Sequence, residues 1–459
     1  MELGKIKAAV AKMARDKDID VQSAWDVFFF DEFLLRLSKS KYRQKFVFKG
    51  GFYLQSFLGA ETRSTMDIDF KMESGEHSNE QLKSILAEIC SLDDDAVSFS
   101  VVSVDDIVAE SKYGGKTIKI DATFYNIRKR FGVDIGFGDI VTPYPIDYSY
   151  RMSFKDEECK LLAYPIETVI AEKFETLISK GTQNSRLKDL FDLYLLNGEE
   201  YDVDDLNAAI INTFSLRQTK YDKEYISNTL DDVFSFDRIK SLYDNFARKN
   251  KYVKDVTFEM CESAIYSIFA KLKFERKILL SDYNIELHVV RHGEDETDKV
   301  GGWSNSHLTS KGEMQVRLLL PQIEEYDRFI SSDLERAKET SEIINSKLNM
   351  KVVFNQNFRE TNNGDLANLS KEEFVGTYKK YLFSSMKMDE KYPNGESPAD
   401  FYERVKNEFV KMLDSNKDKK ILLVTHGGVI TVIRCLLNGY SYSNKLKIAP
   451  ETGSIIKLK

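Results

Sequence analysis

The sequence predicts two joined folds. One is an α+β domain with a helical subdomain over residues 1–280, and the other an α/β three-layer domain with a mainly parallel sheet over residues 284–459. Three observations lead there. Short strand-like alternations crowd residues 46–136 and then yield to an almost wholly helical pattern from Pro165 to about Leu280. Near residue 284 the texture changes, and apolar strand runs alternate with helical stretches to the end. The length, 459 residues with 42% hydrophobic, also favours more than one core.

Residues 1–40 read as helices, with Ala24, Val27, Phe28, Phe30, Leu34 and Leu37 on one apolar stripe. Phe46-Val47-Phe48 is a short strand that ends at the turn Lys49-Gly50-Gly51. Phe52 to Leu58 reads as helix, and Thr65 to Phe70 as a second strand. Further strands fall around 98–104, 116–124 and 131–136. The catalytic core of the first domain is expected at about 25–160 and its helical part at about 160–280. The boundary falls between about 275 and 284. Beyond it, Ile285–Val290, Lys351–Phe354 and Lys420–Thr425 are the strand candidates.

Composition narrows the function classes. The net charge of −8 disfavours a globally basic nucleic-acid binder. Cys90, Cys159, Cys261 and Cys435 are scattered and form no CxxC, so they read as inert buried thiols. The opening MELGKIKAAVAKMARDKD has no signal-peptide-like apolar core, and no stretch reaches ~18 apolar residues. These features predict a cytoplasmic protein with no membrane span.

Chemistry concentrates first at two strand ends. The strand IELHVV runs into Arg291-His292-Gly293, and ILLVT runs into His426-Gly427-Gly428. Side chains just past the carboxyl ends of strands are where open α/β sheets place ligands, and glycine lets backbone approach an anion. Between them lie Ser331-Ser332-Asp333-Leu334-Glu335-Arg336-Ala337-Lys338-Glu339-Thr340 and Phe358-Arg359-Glu360. Together these pieces resemble the histidine phosphatase (phosphoglycerate mutase-like) superfamily over about residues 284–459. The resemblance implies that Arg291 and Arg336 bind a phosphoryl group and that His292 takes it as a phosphohistidine. It further implies that His426, kept protonated beside the phosphate, stabilises charge on the transferring group and that Glu360 protonates the leaving oxygen and then activates water. No cofactor is implied. His307 fits a family loop without a catalytic role, and His288 reads as packing. Asp295 and Asp298 stand where many members carry Ser or Thr and Asn. They argue for a phosphatase of a singly phosphorylated small molecule rather than a mutase.

In the front half, Asp67 and Asp69 stand two apart in a strand and face the same side, so their carboxylates can share Mg²⁺. Gly50-Gly51 lets backbone amides reach a triphosphate, and Arg63-Ser64 adds donors. A third carboxylate is expected from Asp134, with Asp121 as the fallback. With the helical segment 166–196, the motifs KGG, RSTMDIDF, VDIGFGD, AEKFETL and SRLKDLFDLYLL resemble the AbiEii/AbiGii toxin family of nucleotidyltransferases, in the DNA polymerase beta-like superfamily.

That resemblance implies metal binding by Asp67, Asp69 and Asp134, with an NTP as substrate. Nucleotide contacts are implied for Lys49, Gly50, Gly51, Arg63, Ser64, Lys173 and Lys188, with Asp189 or Asp192 orienting Lys188 or the base. Phe52 stands where a small hydroxyl residue is common. The acceptor stays open between a small molecule and a macromolecule such as tRNA, which the acidic charge disfavours. A degenerate front half that only regulates the phosphatase is the non-enzymatic alternative. Residues 200–280 carry no motif.

Overall fold

The computed structural model describes residues 2–59, 67–73, 78–92, 96–107, 114–253, 255–296 and 298–458. The chain divides into two compact units. The first is Met1–Asp202 with Ser227–Ala270, and the second is Val203–Ile226 with Lys271–Lys459. The division is therefore not a single cut near residue 280, because one helical segment, Val203–Ile226, is packed with the later residues.

The first unit is built on one sheet. Its strands are β1 (Val47–Lys49), β2 (Asp67–Met72), β3 (Val97–Asp106), β4 (Gly115–Phe124), β5 (Ile127–Phe137), β6 (Ile146–Arg151) and β7 (Glu158–Ala163), in the order β3-β4-β5-β2-β1-β7-β6. The helix Val21–Lys39 is started by the Asp20 side chain, which accepts from the Ser23 amide. It buries every residue from Ala24 to Leu37, a wider face than the expected stripe. Its charged members survive burial because each is paired. Asp26 meets Lys129 at 2.9 Å, and Glu32 meets Lys155 at 2.9 Å. Asp31 accepts from the Tyr150 hydroxyl and the Ser153 amide, and Arg36 donates to the carbonyls of Cys90 and Val97. Phe52 belongs to the same core, 4.9 Å from Phe30 between ring centroids, which accounts for a large ring at that position. Helices Ile166–Lys180, Leu187–Asn197, Lys223–Ser235, Asp237–Lys249 and Phe258–Ala270 supply the expected helical part, broken by Val203–Arg217, which belongs to the second unit.

The second unit carries β8 (Glu286–Arg291), β9 (Arg328–Ser331), β10 (Val352–Phe354), β11 (Lys420–Thr425) and β12 (Ile455–Leu458) in the order β10-β9-β11-β8-β12. All pairs are parallel except β12 with β8. The strand pleat sends alternate residues to opposite faces. Leu287, Val289, Ile421 and Leu423 pack with Phe401, Phe409 and Val429 of helices Pro398–Ser415 and Gly427–Asn438. Val290, Leu422 and Val424 pack the other way, with Val316, Ala337 and Ile344 of helices Ser310–Leu319 and Glu335–Leu348. Helices on both faces of a mainly parallel sheet give the expected three layers.

Within this unit, helix Val203–Arg217 holds the segment 443–449. The fully buried Asn212 side chain donates to the Lys445 carbonyl at 3.1 Å and accepts from the Lys447 amide at 2.7 Å. Lys445 also pairs with Asp205, and Arg434 donates to Ser215. Removing both partners at once leaves two backbone groups unsatisfied in a buried place. Asn212→Ala is therefore expected to cost the second unit about 2 kcal/mol. The denaturant midpoint followed by Trp303 fluorescence in a Trp25→Phe background measures it. An unchanged midpoint would mean that Asn212 does not brace this unit.

Candidate active sites

Strand register builds the second unit's site. β8 and β11 run parallel with Arg291 opposite Thr425, so His292 and His426 leave the sheet together. The His292 amide donates to the Thr425 carbonyl at 3.0 Å, and the two imidazole centroids are 5.0 Å apart. His292 Nδ1 lies 2.8 Å from the Gly293 carbonyl. A carbonyl cannot donate, so Nδ1 carries the proton and Nε2 presents its lone pair. Arg336 Nε sits 3.4 Å from that Nε2. The buried Arg336 guanidinium is fixed by the Gly302 carbonyl at 2.8 Å and by Ser304, and it approaches Asp295 at 3.4 Å.

Electrostatics set the protonation states. Burial, and then Arg336 and Arg291, hold His292 well below the ordinary imidazole range. Burial, Arg336, His292 and Arg291 do the same to His426. In the protein by itself these cations favour the neutral His426 ring; the expected protonated form belongs to the phosphate-bound site, where the charge of an adjacent phosphoryl group would draw a proton onto it. Burial raises the Asp295 carboxyl despite Arg336 and Arg291.

Two buried polar atoms here have no hydrogen-bond partner, Arg291 Nε and His426 Nδ1. Their other ends are satisfied. Arg291 Nη1 donates to the Pro450 carbonyl at 2.7 Å, and His426 Nε2 meets Ser332 Oγ at 2.7 Å. Buried polar atoms left unpaired are uncommon and mark a place for a polar ligand.

Glu360 completes the group. Its carboxylate accepts from the Gly428 amide at 2.9 Å and the Thr361 amide at 3.1 Å. The glycine pair follows from crowding. A Cβ at Gly427 would lie 3.2 Å from Arg291 Cζ, and one at Gly428 would lie 2.2 Å from Glu360 Oε1. The Glu360 carbonyl is held by Arg404 Nη2 at 3.1 Å and Trp303 Nε1 at 2.8 Å. Arg404 is itself paired with Glu396 at 2.6 Å. Neighbouring Arg359 grips Asp333 through two bonds and lies 4.7 Å over the Trp303 ring. Ser332, Trp303, Ser304 and Arg404 were not singled out from sequence. Ser332 sits inside the SSDLER motif, whereas Arg404 is one of many charges on a helix and carries no local signal. Asp298 is exposed, His307 pairs with Glu339 at 2.6 Å, and His288 is buried against the Tyr326 hydroxyl at 2.8 Å. A cavity of about 430 Å³ opens on Arg291, Glu360, Gly427 and Gly428.

In the first unit, Lys49 on β1 pairs with Asp69 on β2, and Asp69 pairs in turn with Asp134 on β5. Gly50 has φ +76°, and a Cβ there would lie 1.9 Å from Asp69 Oδ2, so only glycine admits this approach. The Gly51 amide bonds to Asp69. Burial pushes Asp69 up to about 6, with Asp134 and Asp67 raising it and Lys49 lowering it. Burial and Asp134 raise Asp67, while Lys188 draws it down, which brings Lys188 to this site. Asp134 is turned to Thr117 Oγ1 at 2.7 Å. Asp121, the fallback, is exposed on β4 and paired with Arg130.

The Lys173 ammonium lies 2.6 Å from Asp189 and 2.7 Å from Asp192, two buried carboxylates that pair with it. Asp189 also holds Arg186, at 2.9 Å. Lys49 bonds to Asp139 at 2.6 Å, with Glu172 at 3.8 Å. Burial opposes its charge, but Glu172, Tyr164 and Asp139 hold it well above the ordinary lysine range. Asp139 and Glu172 are site neighbours that the motifs contained but the reading passed over. Arg63 and Ser64 lie outside the described residues. Among the described residues, the group with ligand atoms within 4.8 Å of one another is Glu286, His288 and Glu324, whose carboxylates already hold Lys420 and Lys457. Asp67, Asp69 and Asp134 are not drawn together to that degree.

Residues 287–459 match the histidine phosphatase superfamily, branch 1. An uncharacterized phosphatase of Bacillus subtilis (strain 168), PhoE, is 30% identical over 156 residues, 33% of this chain and 76% of that protein. The chain belongs to the histidine phosphatase superfamily. A probable phosphoglycerate mutase, GpmB, of Escherichia coli O1:K1 / APEC is 31% identical over 153 residues, 31% of this chain and 70% of that protein. A solved alpha-ribazole phosphatase from Shigella flexneri, 22% identical, covers 38% of this chain and 90% of its own at a TM-score of 0.35. Residues 32–260 match the family described as nucleotidyl transferase AbiEii toxin, Type IV TA system. The chain thus joins a nucleotidyltransferase-family domain to a histidine phosphatase domain, and both are families of enzymes. Among the described residues no helix is long and apolar enough to cross a membrane.

The crowding at Gly428 gives a test of this site. Alanine normally favours a helix, yet Gly428→Ala must displace Glu360. Phosphatase kcat on alkyl phosphates is expected to fall roughly 100-fold, the scale of lost general-acid help. On p-nitrophenyl phosphate, whose leaving group needs little protonation, it should fall much less. An equal loss on both substrates would contradict the assignment of Glu360.

Proposed function

We propose that the second unit hydrolyses a phosphate monoester through a phosphohistidine at His292. The observation that carries this is the pair of unpartnered buried atoms, Arg291 Nε and His426 Nδ1, beside the lone pair on His292 Nε2. Nε2 attacks phosphorus, and the ester P–O bond breaks as Glu360 gives its proton to the leaving oxygen. The same carboxylate then takes a proton from water, which attacks phosphorus and frees His292 with inorganic phosphate. Arg291, Arg336 and a His426 protonated by contact with the phosphoryl group hold the transferring charge. The carboxylate Asp295 beside Arg336 disfavours substrates with a second phosphate, which supports a phosphatase over a mutase.

For the first unit we propose Mg²⁺-dependent transfer of a nucleotidyl group from an NTP to a hydroxyl or phosphate acceptor, with loss of pyrophosphate. The donor set supports it. Burial first, and then neighbouring carboxylates, raise Asp67 and Asp69, and such a group of carboxylate oxygens suits a hard divalent ion. A bound ion would neutralise charge developing on the transferring phosphate. Asp134 must rotate from Thr117 to join it. Gly50 lets Asp69 approach the turn, and Lys188 would offset the charge of a triphosphate held there.

Two outcomes follow. Because burial and the arginines depress His292, the nucleophile stays neutral as pH falls through the ordinary imidazole value of 6.5, so the acid limb of kcat/KM lies below it. Arg336→Met removes one of those cations and is expected to move the limb upward as well as slow turnover. A wild-type limb at 6.5 assigned to His292 would contradict this.

For the transferase, His292→Ala protein is incubated with each α-³²P-NTP, Mg²⁺ and the RNA and small-molecule fractions of a cell extract. Label is expected in one fraction only, lost in Asp67→Asn and on chelation, while Asp67→Asn alone keeps its phosphatase activity. No label with any nucleotide would favour a silent nucleotide-binding domain.

A further inference from the structure

The cavity above Arg291 and Glu360 extends far beyond the volume of a phosphoryl group, and aromatic side chains make up much of its remaining wall, beside uncharged polar groups such as Asn363, Thr431 and Ser443. Phe374, Tyr381, Phe383, Tyr392 and Tyr442 line it. Arg291 and Glu360 are the only charged residues among its described lining, and both stand at the phosphoryl end. Nearby lysines are engaged elsewhere: Lys445 pairs with Asp205, and Lys380 lies over the outer Tyr381 ring at 4.7 Å.

The aromatic wall is built to hold its shape. Phe374 and Tyr392 join Leu366 and Met386 in a small core of their own, against which Tyr381 and Phe383 pack. Tyr442 stacks on Tyr402 with centroids 4.8 Å apart and planes 15° from parallel. The buried Asn444 amide ties this wall together by donating to the carbonyls of Phe383 and Met386, the latter at 2.9 Å. Burial pushes the Tyr392 and Tyr442 hydroxyls above the ordinary phenol range, so they offer hydrogen bonds without charge.

We propose that the second unit's substrate is the monophosphate of an uncharged aromatic alcohol of about nucleoside size, with its ring between the Tyr381–Phe383 and Tyr442 sides of the cavity. This rests on the phosphohistidine reading. Ring–ring contacts favour an aromatic group. A second phosphate or a carboxylate would instead lose water inside a described lining whose charged members, Arg291 and Glu360, serve the phosphoryl end.

The test is kcat/KM of the full chain for adenosine 5′-monophosphate, glycerol 3-phosphate and 3-phosphoglycerate. All three are alkyl esters, so intrinsic leaving-group reactivity does not decide the order. The nucleotide is expected to lead by at least about tenfold, the scale of one or two ring contacts. Tyr381→Ala and Phe383→Ala should each shrink that ratio through KM. Leu446→Lys, which puts a cation into the wall, should raise 3-phosphoglycerate relative to the nucleotide. Hydrolysis of p-nitrophenyl phosphate with a preference for 3-phosphoglycerate or glycerol 3-phosphate would overturn the pocket assignment and leave the phosphohistidine reading standing. Ratios unmoved by all three substitutions would overturn it equally. No hydrolysis of any ester would overturn both.

Discussion

Two parallel strands in register, β8 and β11, bring two histidines and an arginine into one buried place at the carboxyl ends of the sheet's interior strands. The hydrogen bond from the His292 amide to the Thr425 carbonyl fixes the two backbones side by side there. Arg336 then enters from the helix Glu335–Leu348 and lies against His292. The carboxylates Asp295 and Glu360 stand near these arginines, and among the described residues two buried polar atoms, Arg291 Nε and His426 Nδ1, have no hydrogen-bond partner. Unpaired buried polar atoms are costly, and the proposed phosphoryl substrate would offset that cost, which ties the proposed chemistry to the sheet's register.

The first unit uses the same geometric device with opposite charge. Register places Lys49, Asp69 and Asp134 side by side across β1, β2 and β5, and Gly50 allows Asp69 to press against the chain at a distance no side chain would permit. Here carboxylates predominate, and burial and like charge raise Asp67 and Asp69. The proposed functions of the two units draw on this contrast, an anion for the arginine-lined site and a divalent ion for the carboxylate site.

Much of this was readable from the residues. His292, His426, Arg291, Arg336 and Glu360 each stand in a short local motif, and the strands bearing the histidines are plain apolar runs. Asp67, Asp69 and Gly50 are legible for the same reason. What sequence hid was partnership over distance. Arg404 and Asn212 are ordinary helical residues until the fold brings them to the Glu360 carbonyl and the Lys445–Lys447 backbone. The pairing of Lys173 with Asp189 and Asp192 was hidden for the same reason, because those carboxylates lie on the following helix. The short strands β6, β7, β9 and β12 escaped because charged and polar residues interrupt their apolar pattern. The packing of Val203–Ile226 with the second unit had no signal in composition or motif.

The measurement that bears most directly on the central claim is to trap the intermediate. Wild-type protein mixed with an excess of p-nitrophenyl phosphate and quenched in alkali within milliseconds, then digested, should yield a phosphorylated peptide whose phosphate sits on His292 and is lost on mild acid treatment. Glu360→Gln should accumulate more of it, because hydrolysis of the intermediate slows. Turnover with phosphate on no histidine, or on His426 in place of His292, would contradict the account.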